Sequence, residues 1–178
     1  MVKPYGVKIT ACREGSGSGM WFMREFEAPG RAEAVAACHA WLMVEGYDVS
    51  RSKVDVVADG MTFADHMARE LTNLGARMSL RHGASMDGPH KWTDGNGEKG
   101  AAVKLWMPNG RGVSVSSKLD ECGVIRSEYA AIREDASDRY GWTFDNMAQH
   151  YPERTTVGDG FDGDVSGLLE RIADLPKV

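Results

Sequence analysis

Hydrophobic and polar positions alternate most regularly over residues 99–119. There Val103, Leu105 and Met107 interleave with Lys104 and Trp106, and Val113 and Val115 interleave with Ser114 and Ser116 on the far side of Asn109-Gly110. Period-two alternation on both sides of a glycine turn predicts a β-hairpin. A two-residue Asn-Gly turn would set the apolar face of one arm against the polar face of the other, because a slip of one residue flips every side chain. A three-residue loop, residues 109–111, keeps the faces matched by pairing Met107 with Val113 and Leu105 with Val115. That loop calls for a type I turn with a G1 bulge and positive φ at Gly110 or Gly112. Trp106 then shares a face with Lys104, away from Leu105.

The same reasoning covers the rest of the chain. Residues 5–13 and 20–26 alternate as strands joined by the Gly/Ser segment 14–19. Residues 31–45 carry Ala34, Val35, Cys38, Trp41 and Leu42 at helical spacing, with Gly46 as the stop. Residues 53–58 read as a short strand. Thr62 and Asp65 form a capping pair for a helix that turns Phe63, Met67, Leu71 and Leu74 inward and stops at Gly75. Residues 76–82 alternate as a strand, with Met78 and Leu80 opposite Arg77, Ser79 and Arg81. Residues 83–100 show no periodicity and read as a long loop. Helices are expected at 127–140, on Tyr129, Ile132, Ala136 and Tyr140, and in a short stretch with Phe144, Met147 and Tyr151. A last helix is capped by Asp164 and carries Val165, Leu168, Leu169, Ile172 and Leu175.

Together these elements predict an α+β fold, a mainly antiparallel sheet with helices packed largely on one face. Its length suits one domain over 1–178, with a natural sub-division into a ββαβαβ half, 1–82, and a hairpin plus acidic helical half, 100–178. No apolar run approaches the ~20 residues that span a bilayer, and no signal-peptide pattern follows Met1. Cys12, Cys38 and Cys122 are odd in number and far apart, as in a reducing compartment. The expectation is a soluble cytoplasmic protein without membrane contact; oligomeric state is not legible.

Charge changes the picture only in the last third. The chain carries −5 overall, but residues 1–118 hold 15 Lys/Arg against 13 Asp/Glu, while residues 119–178 hold 6 against 13. Such a tail either solvates a helical surface or docks on a basic partner.

Candidate chemistry is sparse. Gly95, Gly97 and Gly100 have dinucleotide-loop spacing, but a strand follows them where the phosphate mechanics need a helix. Asp94, Asn96 and Glu98 alternate like the start of a calcium loop without its glycine or distal Glu. Asp162, Asp164, Ser166 and Gly167 match the first half of an EF-hand loop, yet Ala173 stands where the bidentate Glu belongs; helix capping explains the same residues. Cys38 reads as a small core residue; His39 lies about 100° around the helix from it, too far for a thiolate–imidazole pair. His82, Asp87 and His90 are the one close His/Asp cluster and the candidate acid–base or metal groups. No cofactor is called for.

Two functions of different class follow. The first is a small non-enzymatic protein-interaction module, an acidic inhibitor or regulator docking on a basic nucleic-acid-handling complex, as a phage- or plasmid-type anti-defence protein would. Trp92, Trp106, Glu134, Asp135 and Asp138 would make the contact. The alternative is an enzyme with its site in the 83–100 loop, using His82, Asp87 and His90. Direct nucleic-acid binding through the Arg77 and Arg81 strand face, with Lys91, Lys104 and Arg111, comes third because the chain is acidic.

Overall fold

The computed structural model describes residues 1–13, 15–17, 19–95, 97–119, 125–132 and 161–177. Its elements in chain order are β1 (Lys3–Arg13), β2 (Gly19–Ala28), α1 (Arg31–Val44), β3 (Tyr47–Ala58), α2 (Phe63–His82), β4 (Ser85–Thr93), β5 (Lys99–Trp106), β6 (Gly112–Leu119), β7 (Ile125–Ala131) and α3 (Phe161–Ala173). All strand pairs are antiparallel, so the α+β class holds. The strands form two sheets rather than the expected one, ordered β2-β1-β3 and β4-β5-β6-β7. The chain divides into two compact units, the first on residues 1–66 and the second on the remaining described residues; α2 opens in the first and belongs to the second from Met67 onward.

In the first unit, alternation along β1 sends Val7, Ile9 and Ala11 toward α1, where Cys38 and Leu42 meet them, all fully buried. Phe22, Phe26, Trp41, Tyr47, Val49, Val54 and Val56 ring this core. Gly46 ends α1 as expected, at φ +76°, with its N–H donating to the Met43 carbonyl. Across the sheet, Phe63 lies against Gly6, where an added Cβ would stand 2.5 Å from the ring. The anticipated cap is present, with the Asp65 N–H donating to Thr62 Oγ1 at 3.1 Å and the Thr62 hydroxyl to Asp65 Oδ2 at 2.7 Å. The Phe63 N–H, an orphan of the first turn, donates to Glu25 Oε1 at 2.8 Å.

Residues 76–82, expected as a strand, continue α2. Phe63, Met67, Leu71, Leu74 and Met78 form one buried helical stripe running straight past Gly75, whereas Leu80, which the alternating reading placed beside Met78, is 90% exposed. Gly75 is no stop signal. A Cβ there would meet Met86 Sδ at 2.2 Å and Leu105 Cδ2 at 3.6 Å, so the residue lets α2 lie close on the second sheet. The stop is Gly83, at φ +68°.

The expected loop 83–100 is mostly β4, an edge strand whose side chains face largely outward and so leave no apolar alternation to read. The turn is confined to its end. There Asp94 and Glu98 close on each other through Asp94 N–H to Glu98 O at 3.0 Å and Glu98 N–H to Asp94 Oδ1 at 2.9 Å. Residues 125–131, partly assigned to a helix, form β7. Buried Ser127 and Tyr129 alternate with Arg126 and Glu128, and the Ser127 and Ser117 hydroxyls share a 2.7 Å hydrogen bond. The rest of that expected helix and the short helix after it lie outside the described residues. The last helix is present as α3, packed on β6 and β7 with Val165, Leu168, Leu169 and Ile172 buried; Leu175 lies beyond it, 46% exposed.

The central hairpin has the expected three-residue loop one position early, at 108–110. Gly110 N–H donates to Met107 O at 2.9 Å, Met107 N–H to Arg111 O at 2.7 Å, and Gly110 carries the positive φ of +87°. Pro108 decides this placement, since its fixed φ suits the first corner of a type I turn. Leu105 therefore faces Val113, and Val103 faces Val115. The pairing shifts by two, which leaves the apolar faces matched.

Candidate functional site

Cross-strand partners share a face, so the register assigns both sides of the second sheet. One side buries Val103, Leu105, Val113, Val115 and Tyr129. The other shows four rows: Ser85, Trp106 and Gly112; Asp87, Lys104, Ser114 and Ala130; His90, Ala102, Ser116 and Glu128; Trp92, Gly100, Lys118 and Arg126. Small residues make its floor, and a tryptophan stands at each end.

Both tryptophans are seated on glycine. A Cβ at Gly100 would be 2.2 Å from Trp92 Cζ2, and one at Gly112 would be 2.6 Å from Trp106 Cε3. Glycine inside a strand marks a close approach, and the sequence carried that signal unread: each Trp faces a Gly across its strand pair. Both indoles are partly buried. Trp106 lies with Lys104 and away from Leu105, as the alternation requires.

Asp87 and His90 flank a register shift in β4, at which Gly88 takes φ +104°. The bulge brings His90 Nε2 to 3.2 Å from Asp87 Oδ1, with the two side chains 63% and 55% exposed. An ion pair this open adds little to stability. In the Asp87 row Ser114 is 4% exposed, and its Oγ has no hydrogen-bond partner among the described residues.

His82 does not complete this group. Its Nε2 lies 2.6 Å from Ser166 Oγ on α3. One turn earlier on α3, Asp162 accepts the Arg77 guanidinium in two bonds, Nε to Oδ2 and Nη2 to Oδ1, the second at 3.0 Å. The fork–carboxylate geometry raises the Arg77 pKa, first through the Asp162 hydrogen bond. Thus Asp162 and Ser166, weighed as calcium ligands with Asp164, hold α3 to α2, and Arg77 and Arg81 sit on a helix, not on a strand face. Among the described residues no three His, Cys, Asp or Glu side chains converge as a metal site.

The hairpin tip holds the other end of α3. Asn109 Nδ2 donates to Ile172 O at 2.8 Å, with Leu175 O at 3.3 Å, and Arg111 Nε donates to Pro176 O at 2.9 Å. Ile172 lies in the last turn of α3, where its carbonyl also accepts the Leu175 N–H at 3.3 Å, and Leu175 and Pro176 follow the helix. Asn109 was legible as a turn residue, but nothing local marked it as a cap for a helix 63 residues away.

Cys38, buried against Val7, Ile9 and Leu42, has its thiol pushed up to about 11 by burial, against a smaller opposing pull from Arg24. It is a core residue, as its place on the α1 stripe implied. Glu134, Asp135 and Asp138 lie outside the described residues. No described helix is long and apolar enough to cross a membrane.

No family model, curated protein or solved structure matches this chain. Function therefore rests on the site itself.

Proposed function

We propose that the protein is a non-enzymatic protein-interaction module whose docking face is the outer side of the second sheet, centred on Trp92 and Trp106. The observation that carries this reading is the pair of partly buried indoles, each seated on a strand glycine. Rigid aromatic side chains lose little entropy on binding and dominate interface energetics. Contact is through side chains rather than strand addition, because Pro89 and the bulge at Asp87 and His90 guard the β4 edge.

The acidic last third gives the partner's chemistry. The face itself carries Lys104, Lys118 and Arg126 against Asp87 and Glu128, so the attraction for a basic surface, such as that of a nucleic-acid-handling complex, comes from residues 119–178 as a whole, with 6 Lys/Arg against 13 Asp/Glu. The protein would then act as an inhibitor or regulator by occluding that surface, an anti-defence role among them.

The test is a pull-down from nuclease-treated lysate with the full chain as bait, at low and high salt, beside Trp92→Ala/Trp106→Ala. Support is one stoichiometric partner, weakened by salt and lost with the double substitution while circular dichroism stays unchanged. Retention of that partner by the double variant, or no partner at all, counts against the reading.

A further inference from the structure

The two sheets treat their edges differently. β4 is guarded, as described, but β2 is an edge strand of ten residues paired to β1 without a register shift, and no proline falls within it. A long regular edge is a template for another strand. The residues β2 shares with the α1 side of the sheet are Phe22, Arg24 and Phe26, opposite Ile9, Val7 and Tyr5, with Met20 opposite Ala11 and 55% exposed. Arg24 stands over the Trp41 ring at 4.6 Å and near Phe26 at 6.0 Å.

We propose that β2 is the interface of a homodimer, in which a second copy adds its own β2 antiparallel and joins the two 3-stranded sheets into one. A two-fold axis normal to the sheet keeps both α1 helices on one side, so even-numbered residues meet even-numbered residues. One register sets Arg24 against an aromatic ring and not against a like charge. With Met23 on the axis, facing Met23 of the second copy, Arg24 faces Phe22 and Phe26 faces Met20 in both directions. Arg24 thereby gains a third aromatic neighbour, and exposed Met20 is covered. The register one step away would put Arg24 against Arg24, which like-charge repulsion disfavours. The surface is separate from the proposed docking face and does not depend on it.

The test is the mass of the full chain in solution across a concentration series, with Met23→Lys as the disrupting variant and Met23→Cys as the register probe. Cysteine probes are placed in a Cys12→Ser/Cys122→Ser background. The expected result is twice the monomer mass, falling to the monomer mass in Met23→Lys. Under mild oxidation Met23→Cys crosslinks to itself. Phe22→Cys and Arg24→Cys do not crosslink separately but do when mixed, since directly opposed positions bring Cβ atoms within reach of a disulfide. A monomer at every concentration, a dimer that survives a folded Met23→Lys, or self-crosslinking by Phe22→Cys would overturn the proposal. The cysteine series alone decides it if Met23→Lys fails to fold.

Discussion

Substitution of Gly100 by alanine probes how the docking face is built. The added Cβ would lie 2.2 Å from Trp92 Cζ2, 2.4 Å from Cε2 and 2.8 Å from the Ser117 carbonyl oxygen. Carbon atoms rest about 3.5–4.0 Å apart, so the indole must retreat by more than about 1 Å. The carbonyl belongs to the β6 backbone, beside the Gly100 to Lys118 pair, and is the less able of the two to yield. Overpacking of this kind costs about 1–3 kcal/mol, offset by about 0.5–1 kcal/mol from removing a strand glycine. The expected net loss is about 1–2 kcal/mol, or a drop of roughly 0.5–1 M in the urea midpoint. Gly95→Ala is the control, because nothing lies within 4 Å of its Cβ position and its backbone is not left-handed; it should change stability by less than about 0.5 kcal/mol. Urea unfolding gives the energies, and the assigned Trp92 indole N–H resonance shows whether the ring has moved. Equal midpoints for the two variants with an unshifted Trp92 resonance would refute the seating of Trp92 on Gly100.

Other expectations follow from the same contacts. Asn109→Ala removes the side-chain donor at the end of α3 and should cost about 1–2 kcal/mol in urea unfolding, whereas a loss below about 0.3 kcal/mol would mean that water serves those carbonyls equally well. The Arg77 and Asp162 side chains are 42% and 31% exposed, so Asp162→Asn should cost no more than about 1 kcal/mol, with a loss that shrinks as salt rises. Gly75→Ala should be near neutral, because relief of the ~1 kcal/mol helix penalty is offset by displacing Met86, which is 37% exposed and able to move. Cys38 gives a pH signature. Its folded value of about 11 lies above the ordinary 9.0, so the unfolded thiol ionises first, and its contribution is intact below pH 9 and disappears as pH rises toward 11. Stability measured relative to Cys38→Ala should therefore fall by about 2 kcal/mol between pH 8 and about pH 10.5, and a constant difference would contradict the burial of the thiol.

Legibility followed burial. Strands whose large apolar residues fall on one face, such as β1, β5 and β6, announce themselves by alternation. An edge strand such as β4 has almost no buried side and so no pattern, which is why residues 83–100 read as a loop. Residues 76–82 were misread for a different reason. Arg77, Ser79 and Arg81 alternate with Met78 and Leu80 by accident of composition, and the deciding fact, that Gly75 faces Met86 and Leu105 inside a continuing helix, is tertiary. Residues 127–131 were read into a helix on the spacing of Tyr129 and Ile132, whereas in the fold they belong to β7, where Ser127 meets Ser117.

The site was legible in part for the same reasons. Trp106 was placed on the correct face by alternation alone, and Asp87 and His90 were grouped by closeness in sequence. His82 was grouped with them through sequence proximity, but it ends a helix, and helix ends point where packing sends them; here that is toward Ser166. The Trp106–Gly112 pair could have been found from the hairpin register, had the position of Pro108 been used to set the loop, whereas Trp92–Gly100 needed β4.

The most direct test of the docking face is the affinity of the captured partner for the intact chain, for Trp92→Ala, for Trp106→Ala and for the pair, each checked for native circular dichroism. The account predicts a loss of at least 10-fold for each single substitution, about 1.4 kcal/mol or more, with the double variant unable to bind. Undiminished affinity in a folded double variant would contradict it and move the contact off this face.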